Sequence, residues 1–258
     1  MKKIILLILS ITFAFSQENI NYQVPSSEIL DLVEYDRPPS VTYDSEKNFM
    51  LFLYRDNYKS IEDLSQEELR LAGLRINPKT NIGSRITYYN NIKIKNLKNK
   101  RSEIQDIIGI PSNPKIANIN WSPNQKNIAF TNTSSDGVKL WVLNLESRSL
   151  VKLSDLKLNS NIRDVINWLN DSEILIKVIP DNKKELIDQS DIVPLGPTIS
   201  SNDGENAQNR TYQDLLKNKT DEFNFEQLVT SDLYKVDLNG RINKWLDSDM
   251  YTDITPSP

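Results

Sequence analysis

One unit recurs along this chain: an aromatic residue, a short turn rich in Ser, Asn, Asp and Pro, then a run of β-forming residues. It is clearest at Trp121-Ser122-Pro123-Asn124-Gln125-Lys126-Asn127-Ile128-Ala129-Phe130. Pro fixes φ and Asn tolerates left-handed backbone, so Ser-Pro-Asn-Gln reads as a tight turn. Ile128 to Thr131 then begins a strand. Ser135-Asp136-Gly137 is a hairpin signal, Val138 to Leu145 the return strand, and Leu150 to Leu153 a third strand. A second copy opens at Trp168-Leu169-Asn170-Asp171-Ser172-Glu173, before Ile174 to Ile179. Trp121 and Trp168 stand 47 positions apart, within the roughly 40–50-residue period of four-stranded propeller blades. A third copy is Tyr43-Asp44-Ser45-Glu46-Lys47-Asn48 before Phe49 to Leu53, with Lys47-Asn48-Phe49 aligned on Lys126-Asn127-Ile128. Asp232 to Leu238 and Arg241 to Trp245 flank an Asn239-Gly240 turn, the strongest short hairpin signal.

The fold expected is all-β: an incomplete β-propeller of four-stranded antiparallel blades with two short helical insertions. An antiparallel sandwich, with strands and turns at similar spacing, is the competing architecture. In the first insertion Ser60-Ile61-Glu62-Asp63 has capping-box form and Ser65 to Glu68 repeats it. Leu64, Leu69 and Leu71 fall near one helical face, and Gly73 sits where a helix stops. The second insertion begins at Thr211-Tyr212-Gln213-Asp214, again a capping pattern, followed by Leu215-Leu216-Lys217. The polar stretch from Ser200 to Arg210 before it is expected to be a long exposed loop.

The N-terminus has the form of an export signal. Lys2 and Lys3 precede an apolar run from Ile4 to Phe15. Small residues then mark a cleavage site between Ser16 and Gln17. The expected organisation is a signal peptide at 1–16 and a propeller segment over 17–258, in a protein exported to the periplasm or beyond. The apolar run is shorter than the roughly 20 residues a membrane helix needs, so no membrane association is expected after cleavage. The net charge is −4, from 31 basic and 35 acidic residues, which gives no electrostatic case for nucleic acid. Thr255-Pro256-Ser257-Pro258 resembles the start of another turn unit, so the sequence reads as the front piece of a longer protein.

Several segments together resemble the N-terminal propeller part of the prolyl oligopeptidase family of serine peptidases, in its glutamyl endopeptidase-like branch. They are Tyr22-Gln23-Val24-Pro25 with Ile29 to Val33, Leu71-Ala72-Gly73-Leu74-Arg75-Ile76-Asn77-Pro78, Trp121 to Asn124, Leu140-Trp141-Val142, Val193-Pro194-Leu195-Gly196-Pro197, and Arg210 to Asn218 with Asp221-Glu222. The Trp-Ser-Pro turn occurs in many propellers, whereas the Ala-Gly-Leu-Arg-Ile-Asn-Pro and Gln-Asp-Leu-Leu runs are not required by propeller geometry. The resemblance implies a propeller set over a C-terminal α/β-hydrolase domain, admitting oligopeptides to a triad which that domain supplies.

That hydrolase domain is absent from this sequence. There is no His and no Cys, so neither a Ser-His-Asp nor a Cys-His mechanism can run within the chain, and zinc sites built on those residues are excluded. No Gly-x-Ser-x-Gly elbow, dinucleotide fingerprint or phosphate loop occurs. No catalytic, cofactor-binding or metal-binding residue is assigned, no cofactor is expected, and the chain alone is expected to be inactive. The expected partners are oligopeptides, engaged through the missing domain. Arg75 and Arg85 flank Asn77-Pro78; either they recognise an acidic substrate side chain by paired hydrogen bonds, or they tie the insertion to a blade. A free-standing binding propeller and a propeller glycosidase are the alternative functions.

Overall fold

The computed structural model describes residues 23–99, 101–188, 204 and 212–254. The signal segment with Ser16 and Gln17, Tyr22, the Val-Pro-Leu-Gly-Pro run at 193–197, most of the expected polar loop, Thr211 and the last four residues lie outside them. The first compact unit ends at Asp36. Within it, α1 (Ser27–Val33) starts after Ser26 and closes with the Glu34 amide donating to the Leu30 carbonyl at 2.7 Å.

The second unit, from Arg37 onward, is all-β with few helices. In chain order it contains β1 (Ser40–Tyr43), β2 (Phe49–Tyr54), α2 (Ile61–Leu64), β3 (Leu69–Leu71), β4 (Leu74–Asn77), β5 (Ile82–Gly83), β6 (Asn91–Asn96) and β7 (Gln105–Asp106). Next come β8 (Ile116–Trp121), β9 (Asn127–Ser134), β10 (Gly137–Asn144), β11 (Ser149–Lys152), β12 (Ile166–Trp168), β13 (Glu173–Val178), α3 (Lys219–Val229), β14 (Ser231–Asp237) and β15 (Ile242–Asp249). Three antiparallel sheets have four strands each: β1-β2-β6-β7, β8-β9-β10-β11 and β12-β13-β14-β15. Each is a meander, and a smaller sheet, β3-β4-β5, interrupts the first.

The middle sheet is buried on both faces: in β9 every residue from Asn127 to Thr133 is buried, its Asn and Thr side chains included. Ala129, Val138, Leu140 and Val142 pack against Ile166, Trp168, Ile174 and Ile176 of the third sheet. Ile128, Phe130 and Leu143 point the other way and pack against Leu51, Leu53, Ile92 and Ile94 of the first. Successive residues thus serve opposite cores, as the two-residue period of a strand requires.

The recurrent unit has one structural meaning. Tyr43, Trp121 and Trp168 each end the first strand of their sheet. In the Tyr43 and Trp121 copies the turn is closed the same way. The Asp44 carboxylate accepts from the Phe49 amide at 2.6 Å, and the Ser122 hydroxyl accepts from the Asn127 amide at 3.0 Å. Lys47 and Gln125 both adopt φ 56°. Gln125 therefore answers to Lys47, so the sequence alignment of Lys47 on Lys126 is one residue out. The left-handed residue is the fourth of the turn, not the Asn. Neighbouring turns also touch: the Ser45 amide donates to Gln125 Oε1, and the Asn124 amide donates to Asp171 Oδ1 at 2.8 Å.

The insertions differ from expectation. Ser60 caps α2 by accepting from the Asp63 amide at 3.0 Å, as its capping-box form implies. Leu69 and Leu71, however, belong to β3, not to a helix. Ala72 and Gly73 both have positive φ (50° and 78°) between paired Leu71 and Leu74. They form a two-residue hairpin of the type that matches strand twist, so Gly73 turns a hairpin where a helix stop was expected. The second helix begins at Lys219, not near Thr211. Asp214 has φ 56°, which no α-helix accommodates, and Asn218 supplies the cap by accepting from the Asp221 amide at 2.8 Å. The two insertions pack together through Leu71, Ile76 and Leu228, with Leu216 and Phe225 against them.

Candidate functional site

The residues singled out by sequence converge on one carboxylate. Glu68, just before β3, accepts from Arg75 Nη1 at 3.1 Å, Arg85 Nε at 2.9 Å, Arg70 Nε at 3.0 Å and the Ser84 hydroxyl at 2.7 Å. Hydrogen bonds from Arg85 and Ser84 hold its carboxyl far below the usual carboxylate range. Arg75 gives its other Nη to Asp214, at 3.0 Å. It thereby joins the β3-β4-β5 sheet to the segment that leads into α3. Its side chain is 24% exposed, whereas that of Arg85 is 65% exposed.

Beside this cluster lies a cleft of about 290 Å³, between the segment that follows β2 and the segment that follows β5. Ser84 and Gly83 form one wall; Arg37, Arg55, Lys59, Asp56, Asp63 and Tyr58 form much of the rest. Asp63 is paired with Lys115 at 2.6 Å, and Asp56 accepts from the Asn90 amide group at 2.7 Å. Lys59 donates to the Ser84 carbonyl at 3.1 Å. The Arg55 Nε is buried with no hydrogen-bond partner among the described residues. No sequence signal pointed to Arg37 or Arg55. They stand 18 positions apart in irregular segments that carry no motif.

A second buried cation stands in the third sheet. Lys177 on β13 is 1% exposed. Its ammonium donates to the Arg163, Tyr251 and Thr252 carbonyls, the last two at 2.8 Å. Burial pushes it down to about 8, opposed by nearby Asp164 and Asp253. Among the described residues no group of three His, Cys, Asp or Glu side chains is placed to hold a metal, and no helix is long and apolar enough to cross a membrane.

No family model matches the chain. Along most of its length it is similar in sequence to part of two plant proteins described as probable glutamyl endopeptidases. It is 32% identical over 255 residues to the probable glutamyl endopeptidase, chloroplastic, of Oryza sativa subsp. japonica, covering 94% of this chain and 27% of that protein. To the protein of the same description in Arabidopsis thaliana it is 31% identical over 247 residues, covering 92% of this chain and 26% of the relative. The chain thus spans about a quarter of the length of the curated relatives it matches. Among solved structures, Pyrococcus horikoshii acylaminoacyl peptidase aligns over 83% of this chain and 26% of its own, at 15% identity and a TM-score of 0.37, an overlay too loose to bear on the fold.

Proposed function

We infer that this chain, related by sequence along nearly its whole length to the plant glutamyl endopeptidases, supplies the non-catalytic, access-limiting propeller portion of a serine oligopeptidase of the prolyl oligopeptidase family. The observation that carries the reading is the coverage: 94% of this chain matches about a quarter of the rice protein. A chain without a single His has no imidazole to serve as the base of a Ser-His-Asp triad. Hydrolysis in this reading therefore belongs to an α/β-hydrolase domain outside these 258 residues. The stacked meanders, with touching equivalent turns, support reading the three four-stranded sheets as successive blades. The role assigned to them is steric: a ring of blades lets short, extended peptides reach the nucleophile and excludes folded proteins. Residues 1–16 are assigned to export. Arg75 and Arg85 enter this reading as structural ties, within the β3-β4-β5 insertion and from it to the segment that leads into α3, which is what their grip on Glu68 and Asp214 supports.

The test compares three proteins: this chain alone, the intact rice relative, and the rice relative without the segment that matches this chain. A fluorogenic Glu-containing tetrapeptide and folded casein-sized substrates report activity, with circular dichroism as the check on folding. The expected result is no hydrolysis by this chain, peptide-only cleavage by the intact relative, and loss of size discrimination in a folded deletion variant. Peptide hydrolysis by this chain alone overturns the reading. Charge reversal of Arg75 in a full-length relative separates its two roles: unchanged cleavage after Glu removes any part in substrate binding.

A further inference from the structure

We propose that the ridge formed by α2 is a dimer interface, at which a second copy of this chain packs its own α2 against Ile61 and Leu64. The apolar side of this helix faces water. Asp63 is held to the body of the protein by Lys115 at 2.6 Å, while Ile61 is 86% and Leu64 69% exposed. Tyr58, just before the helix, is 69% exposed as well. A surface helix in a single soluble chain ordinarily turns its apolar stripe toward the core, and an apolar crest rimmed by polar residues is the form of a protein contact site.

The flanks of the ridge select the occupant. Two clefts share Gln66, Asn77 and Tyr88 in their linings, so α2 is the wall between them. Ile61 and Leu64 line neither and stand on its crest. On the side of the cleft described above are Arg37 and Lys59, both exposed. The second cleft, of about 580 Å³, carries Glu62 and Glu67, also exposed. Arg37, Glu62 and Glu67 have no ion-pair partner among the described residues. Asp56 on the first side and Lys79 on the second reduce these charges without reversing either sign. A twofold axis along the ridge lays each positive flank on the negative flank of the other copy and brings the two crests together. A patch that is its own complement in this way is what an isologous contact requires. A foreign partner needs both signs in reverse order across an apolar centre, whereas a second copy has them by symmetry. The ridge belongs to this chain whether or not the chain gates a hydrolase, so its test is independent of that reading.

Sedimentation velocity of this chain between about 1 and 100 µM decides it, with a monomer–dimer equilibrium expected in that range. Ile61→Asp combined with Leu64→Asp, both at exposed positions, is expected to weaken association at least about tenfold. Two charge variants test the symmetry: Glu62→Lys with Glu67→Lys, and Arg37→Glu with Lys59→Glu. Each alone brings like flanks together and is expected to associate at least about tenfold more weakly than the parent. Mixed in equal amounts they match on both flanks and are expected to associate with each other. Circular dichroism checks that every variant is folded. A chain that stays monomeric throughout the range overturns the proposal. So does a dimer undiminished in the folded Asp variant, which places the contact elsewhere, as at the exposed Trp245 and Leu246 of β15, and so does a mixture of folded charge variants that fails to associate while the parent does.

Discussion

Replacing Lys177 by Met should remove a specific pH dependence from the stability of the third sheet. Lys177 lies on a central strand, 1% exposed, and holds the Tyr251 and Thr252 carbonyls beyond the end of β15. Burial lowers its folded value from 10.5 to about 8. Between those values the unfolded chain binds a proton that the folded chain does not, so stability rises with pH across this window. Below pH 8 the desolvation cost is fully present; above 10.5 it is gone. A shift of this size corresponds to ~3 kcal/mol across the window as an upper figure, since one unit is worth about 1.4 kcal/mol. Lys183, also lowered by burial, acts in the same direction, so the informative quantity is the difference between parent and variant. Urea denaturation at intervals from pH 7 to pH 10.5 should show the parent gaining on Lys177→Met as pH rises. A constant difference across the range would refute the assignment of a destabilised, buried ammonium at this position.

Three further outcomes follow from the packing and the ion pairs. Phe130→Ala, at a residue 1% exposed between the first and middle sheets, should cost about 3–5 kcal/mol in urea denaturation; a loss below about 1 kcal/mol would mean the two sheets do not share a core. Asn159 Nδ2 donates to the Leu228 and Thr230 carbonyls, both at 2.9 Å, so Asn159→Ala should cost about 2 kcal/mol and raise hydrogen exchange at the end of α3, with unchanged exchange there counting against it. Glu68 has a depressed folded value, so its contribution is present above the unfolded carboxylate range and is lost as pH falls through the folded value. Glu68→Gln should therefore flatten acid denaturation below about pH 4.5, and an unaltered acid limb would show that the arginine cluster adds nothing.

The meanders were legible because their turn chemistry is local. Ser135-Asp136 and Asn239-Gly240 each lie between paired strands, with Gly137, the first residue of β10, at φ 120° and Gly240 at φ 81°. The recurrent turn was visible too, but its register was not, because the chain places Lys47 and Gln125, neither a favoured left-handed residue, at the positive φ. Strand β8 left no clear pattern. Asn118 adopts φ 50° inside it, and pairing with β9 skips between Ala117 and Asn120, so the alternation that betrays a strand is broken. Leu64, Leu69 and Leu71 satisfied a helical spacing by chance. The hairpin won because Ala72-Gly73 supplies two left-handed residues and Glu68 gathers arginines from two strands and a turn. The cleft arginines were illegible for a different reason: unpaired charge is a property of what surrounds a side chain in space, and nothing in one sequence reports it.

Because the chain has no Cys, engineered pairs give an unambiguous reading of which turns are neighbours. Ser45/Gln125 and Asn124/Asp171 are turn-to-turn contacts between successive sheets, whereas Ser45 and Asp171 belong to sheets separated by a third, about 20 Å at ordinary sheet spacing. Double-Cys variants treated with the shortest bismaleimide linker should join 45 to 125 and 124 to 171 within one chain, and should not join 45 to 171. Efficient linkage of 45 to 171, or failure of both neighbouring pairs in folded protein, would contradict an ordered stack of three equivalent sheets.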